Sequence, residues 1–168
     1  LERLYDVAIV EAPETSAWHE DVRQYEVRGR DGARLGRFFL DLYARDTKRG
    51  GAWMDEAVSR RRRGAGLQTS VVYLSCNFSH PVGGKHATLE HDDVLTLFHE
   101  FGHGLHSLLT RQEELGVYGL ANVEWDAVEL PSQFMENFCW EWEVLEPMTR
   151  HVDTGRSEEH TSELQSRL

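Results

Sequence analysis

His99 and His103 stand four residues apart in the run Thr96-Leu97-Phe98-His99-Glu100-Phe101-Gly102-His103-Gly104. On a helix, positions i and i+4 lie one turn apart on one face, so the two imidazoles can meet a single metal ion. Glu100 sits about 100° further around the axis. In this arrangement it is the group that takes a proton from water, not a ligand. Chance yields His-Glu-x-x-His in roughly 5% of chains of this length and composition, so the motif needs support from its surroundings. Those surroundings are apolar: Val94, Leu95, Leu97, Phe98, Phe101, Leu105, Leu108 and Leu109 populate most sides of the same helical window. Imidazoles and a carboxylate buried there without partners would be costly. A hydrogen-bonded cluster with no metal is the competing reading of the same residues.

A catalytic zinc site has three protein ligands and one exchangeable position. The downstream run Trp125-Asp126-Ala127-Val128-Glu129-Leu130-Pro131-Ser132-Gln133-Phe134-Met135-Glu136-Asn137 offers acids in an apolar context. Spacing alone leaves Asp126, Glu129 and Glu136 open as the third ligand. His106 lies three residues beyond His103 and faces roughly the same way; packing or hydrogen bonding is expected of it. A closed site with four protein ligands, recruiting His106, would instead mark a noncatalytic metal-binding structural domain.

These side chains need a scaffold. A helix is expected from about Asp92, capped by Asp92 or Asp93, to near Arg111. A second helical stretch is expected from Trp125, with Pro131 imposing a kink or a late start. Gly102 and Gly104 are poor helix formers, and the expected reason is close approach of another backbone. Gln24–Gly29 and Leu35–Tyr43 alternate around Asp31-Gly32 and read as a β-hairpin. Ser70–Cys76 is the clearest strand. In the first twenty residues only Val7–Val10 has a comparable apolar run. Arg60–Arg63, flanked by glycines, read as a solvated loop or helix end. No internal repeat is present.

The motifs together resemble the thimet oligopeptidase family of zinc metallopeptidases, most closely its bacterial oligopeptidase A branch. The matching stretches are Phe39–Arg45, Lys48–Met54, Thr96–His106 and Trp125–Asn137, within about residues 18 to 148. The resemblance implies an α+β fold: a predominantly helical zincin-type catalytic core with a small β-sheet, truncated at both ends. It implies that His99, His103 and Glu129 hold one Zn2+ ion and that Glu100 is the catalytic base. It further implies Asp126 as an acceptor for the outer nitrogen of a ligating imidazole. Manganese or cobalt would suit the same donors. The activity implied is hydrolysis of internal bonds in short oligopeptides, by a protein that is monomeric when complete. In the family, oxyanion donors come from His and Tyr residues well beyond the third ligand, so the 168-residue chain is expected to be inactive alone. The region Val82–Leu89, with Val71–Asn77 beside it, is expected to pair with extended substrate.

Residues 1–155 are read as a partial metallopeptidase catalytic domain. Residues 156–168 are read as a non-native tail, because Arg156–Ser166 resembles a translated sequencing adapter. Hydrophobic residues make up 40% and charged residues 28%, as in a soluble globular chain. A net charge of -11 argues against a nucleic-acid partner. No run approaches the ~20 apolar residues that span a bilayer. Cys76 and Cys139 form no Cys-x-x-Cys pair, which points to a reducing compartment, and a cytoplasmic location is expected.

Overall fold

The computed structural model describes residues 1–12, 17–83 and 87–150. A short helix α1 (Glu2–Tyr5) precedes strands β1 (Ala8–Glu11), β2 (Arg23–Arg28), β3 (Arg34–Tyr43), β4 (Trp53–Val58), β5 (Arg61–Arg63), β6 (Gly66–Gln68) and β7 (Ser70–Phe78). Then come the long helix α2 (His91–Leu109), α3 (Leu130–Glu136) and α4 (Trp142–Leu145). Five strands form one mixed sheet in the order β1-β2-β3-β7-β4, with β3 and β7 parallel and the other pairs antiparallel. β5 and β6 make a separate two-stranded ribbon.

The α+β class holds, but the expected helical predominance does not. Strands contain at least as many residues as helices, and the sheet is not small. The excess comes from residues 45–69: their glycines and arginines hide a full edge strand, β4, and the β5–β6 ribbon, the latter where Arg60–Arg63 were expected to form a loop or helix end. The hairpin over β2 and β3 forms as read, with Gly32 at φ +76° in its turn. Val7–Val10 supplies most of β1.

α2 packs on one face of the sheet. Val27, Phe38, Val72, Leu74 and Leu108 form the buried cluster there, and Phe101 meets the Phe38 ring edge-on with centroids 5.0 Å apart. The alternating burial of β7 follows from this one-sided cover. The cap of α2 falls two residues before Asp92 and three before Asp93: Glu90 is the N-cap, and its backbone N–H donates to Asp93 Oδ2 at 2.9 Å. Pro131 lies in the first turn of α3, so the late start is the outcome. β7 is interior, paired on both sides, and residues 82, 83 and 87–89 form no strand. Neither β7 nor the described residues of Val82–Leu89 offer the expected substrate-pairing edge. The sheet edge beside α2 is β4.

A buried polar knot fixes the loop that delivers β4. The Asp41 carboxylate accepts two hydrogen bonds from Arg45, each 2.7 Å, and one from Trp18 Nε1 at 3.0 Å. Lys48 Nζ, buried beside it, donates to Asp41 Oδ1 and to the carbonyls of Asp41, Tyr43 and Cys76. Asn77 Nδ2 holds the carbonyls of Arg49 and Gly51. Burial opposes ionisation of Asp41, but the Arg45, Lys48 and Trp18 hydrogen bonds outweigh it and hold its carboxyl far below the usual range. Cys76 and Cys139 are buried and unpaired. No helix among the described residues is long and apolar enough to cross a membrane. Residues 156–168 lie outside the described residues.

Lys48→Met leaves several acceptors buried without a cation, and is expected to lower unfolding stability by about 3 kcal/mol. Urea denaturation measures this; a loss below about 1 kcal/mol would contradict the knot's role. Because the folded-state pKa of Asp41 is depressed, its contribution is complete above about pH 4 and fades as pH falls below that. Asp41→Asn should therefore flatten the acid limb of the stability–pH profile.

Candidate metal centre

Helix α2 carries His99 and His103 on one face, their ring centroids 4.9 Å apart and their planes at 83°. Glu129 is the residue immediately before α3, and its position depends on how closely α3 approaches α2. A Cβ on Gly102 would lie 2.5 Å from the Pro131 carbonyl oxygen and 2.5 Å from Ser132 Cα. Only a glycine permits that contact, since both obstacles are backbone. The expectation for Gly102 is met. Gly104 instead faces the Leu74 side chain, with Cδ2 at 3.0 Å from a built Cβ, so its neighbour is a side chain of β7 and not a second backbone.

The close crossing brings Glu129 Oε2 to 3.2 Å from His99 Nε2 and 3.1 Å from His103 Nε2. One donor atom from each of the three residues lies within 4.8 Å of the others, and this is the group of that kind among the described residues. Ser132 Oγ donates to Glu129 Oε2 at 2.9 Å and to the Glu129 carbonyl at 2.8 Å, which fixes the carboxylate. Burial disfavours the Glu129 anion, but the Ser132 hydrogen bond and both imidazoles outweigh it, so its carboxyl is held below its usual range. Burial also pushes the His103 pKa down, overcoming the pull of Glu129. A neutral imidazole and an ionised carboxylate are the protonation states a metal needs.

His99 has a second partner. Glu136 Oε1 lies 2.6 Å from His99 Nδ1. A carboxylate accepts, so Nδ1 carries the hydrogen and Nε2 keeps its lone pair towards Glu129 and His103. Asp126, the acceptor that the resemblance implies, is exposed, and the structure does not bring it to either imidazole. The signal for Glu136 was present as the third acid of the downstream run, about two helical turns beyond Glu129. His103 Nδ1 is buried with no hydrogen-bond partner among the described residues. His106 points elsewhere: it lines an apolar cavity of about 260 Å³ with Leu105, Leu109, Pro131 and Met135, and stands outside the donor cluster.

Glu100 is 8% exposed, with the Met54 backbone of β4 within its reach. Burial raises its pKa and the Glu129 carboxylate adds to this, while His99 and a hydrogen bond from the Met54 backbone pull the other way; the net shift is upward. Two histidine nitrogens, one carboxylate oxygen and a separate buried carboxyl beside them thus form a donor set that fits a divalent ion of borderline softness.

A family model described as Peptidase family M3 matches residues 1–166, and the chain belongs to that family. It is 54% identical over 156 residues to Oligopeptidase A of Escherichia coli (strain K12), covering 92% of this chain and 23% of that protein. It is 46% identical over 145 residues to the chloroplastic/mitochondrial organellar oligopeptidase A of Arabidopsis thaliana, covering 83% of this chain and 18% of that protein. It is 40% identical over 166 residues to dipeptidyl carboxypeptidase of Salmonella typhimurium, covering 99% of this chain and 24% of that protein. The chain therefore spans about a fifth to a quarter of the length of these relatives.

Gly102→Ala should force α3 away from α2 and cost about 1–3 kcal/mol, as overpacking does. Gly116, with nothing within 4 Å of a built Cβ, is the control, and Gly116→Ala should leave stability nearly unchanged. Equal unfolding midpoints for the two variants would refute the close-crossing argument.

Proposed function

We propose that this chain carries the metal-binding core of a zinc-dependent endopeptidase acting on short peptides, with one ion held by His99 Nε2, His103 Nε2 and Glu129. The observation that carries this reading is the convergence of those three donor atoms within 4.8 Å. When bound, zinc supplies Lewis acidity, lowering the pKa of water and polarising a carbonyl.

The protein's own groups supply the rest. Glu100 accepts a proton from the attacking water and returns it to the departing amine nitrogen, and its upward-shifted pKa suits both directions of transfer. Glu136 holds the His99 ring and its tautomer through Nδ1. Ser132 keeps the Glu129 carboxylate in place. The outer edge of β4, beside Glu100, pairs with no strand among the described residues and can receive an extended peptide by main-chain hydrogen bonds. Such pairing reads backbone, with little demand on side chains. The relatives' names, oligopeptidase and dipeptidyl carboxypeptidase, agree with peptide substrates. A closed structural site is not favoured, because His106 lies outside the donor cluster and no fourth protein ligand joins it among the described residues.

Isothermal titration should find one zinc equivalent per chain, with affinity falling by at least about a hundredfold in Glu129→Ala and by about 10–100-fold in Glu136→Gln. Glu100→Gln should retain zinc, while any peptide hydrolysis by the metal-loaded protein drops at least about a hundredfold. Unchanged zinc affinity in Glu129→Ala would overturn the ligand set; undiminished hydrolysis by Glu100→Gln would overturn the base.

A further inference from the structure

Helix α2 and strand β4 run side by side in the same direction. Near the start of β4, the Met54 backbone reaches Glu100. At the far ends, Arg60 and Arg62 reach Glu113, just beyond the end of α2, with Arg60 Nη2 3.9 Å from its carboxylate. Four consecutive guanidiniums, Arg60 to Arg63, stand there in a chain of net charge -11. Glu113 is the one carboxylate within ion-pair distance of any of them among the described residues. Arg63 donates to the neutral amide of Gln68 at 3.1 Å, and Arg62 and Arg63 are both exposed. The ribbon is thus under-neutralised, and it grows directly from the free edge strand.

Two independent measures set its distance from the reaction centre. Met54 to Val58 is about 13 Å of strand. Glu100 to Leu109 is about 13 Å of helix. A peptide added antiparallel to β4, the slightly stabler pairing, runs its N-terminal side towards the arginines. At about 3.4 Å per residue, its fourth or fifth residue upstream of the scissile bond arrives at the ribbon. Nucleic acid is a poorer match, because no aromatic stands among the arginines for bases to stack on.

We propose that the β5–β6 arginine ribbon selects peptides bearing acidic side chains about four to five residues N-terminal to the scissile bond. The proposal rests on the metal-site and β4-edge reading given under Proposed function.

Short peptidyl hydroxamates test it on the zinc-loaded chain, because the terminal hydroxamate chelates the metal and fixes the register. Three probes are compared by fluorescence anisotropy: one neutral, one with paired Asp at the fourth and fifth residues from the hydroxamate, and one with paired Asp at the first and second. The distal-acid probe should bind about five- to tenfold tighter than the neutral one at low salt. The gain should vanish in high salt and in Arg62→Gln/Arg63→Gln, whose neutral-probe affinity stays unchanged. Equal binding of the neutral and distal-acid probes, or the same gain from the proximal-acid probe, overturns the proposal. A double variant His99→Ala/His103→Ala separates the two readings: undiminished neutral-probe binding there defeats the metal site, whatever the arginines do.

Discussion

The structure depends on one close crossing of two helices. Gly102 removes the side chain that would collide with the Pro131–Ser132 backbone, and α3 lies against α2 at that point. The residue just before α3 is Glu129, so the crossing sets its carboxylate between the two imidazoles of α2. The same crossing brings Glu136, on the last turn of α3, to the other nitrogen of His99. A single missing Cβ therefore governs both the donor triad and the group that orients it.

The sheet supplies a second level of control. Leu74 and Leu108 lock α2 to β7 and β3, while the Asp41–Arg45–Lys48 knot and Asn77 pin the loop leading into β4. β4 in turn lies beside Glu100. The catalytic base proposed here thus sits between a helix that carries the imidazoles and an edge strand that offers free backbone groups. Its burial is what lifts its pKa. An ionised Glu129 beside it lifts it further, so the two acidic groups are pushed apart in protonation by their surroundings, the pattern expected where one carboxylate binds and the other transfers protons.

Much of this was readable from residue order, and the reasons for the exceptions are physical. The i, i+4 histidines show through helical periodicity, which needs no tertiary information. Glu129 needed the family resemblance, because three acids in one short segment satisfy spacing equally. The resemblance implied Asp126 as the acceptor for an imidazole, whereas Glu136 meets His99 Nδ1: the choice depends on where α3 starts, and Pro131 in its first turn sets that start after Asp126. The edge strand β4 was hidden because Gly50-Gly51 and the arginine run carry no strand signal of their own; its pairing with β7 is a long-range choice made by burial of Met54 against the core. No strand forms among the described residues of Val82–Leu89, and β7 already has neighbours on both sides.

Anomalous diffraction at the zinc absorption edge, on crystals of the zinc-loaded chain, bears most directly on this arrangement. One peak about 2.0–2.2 Å from His99 Nε2, His103 Nε2 and a Glu129 carboxylate oxygen is the result the account requires. A peak elsewhere, or an ion bound by the histidines with the Glu129 carboxylate turned away, would contradict it.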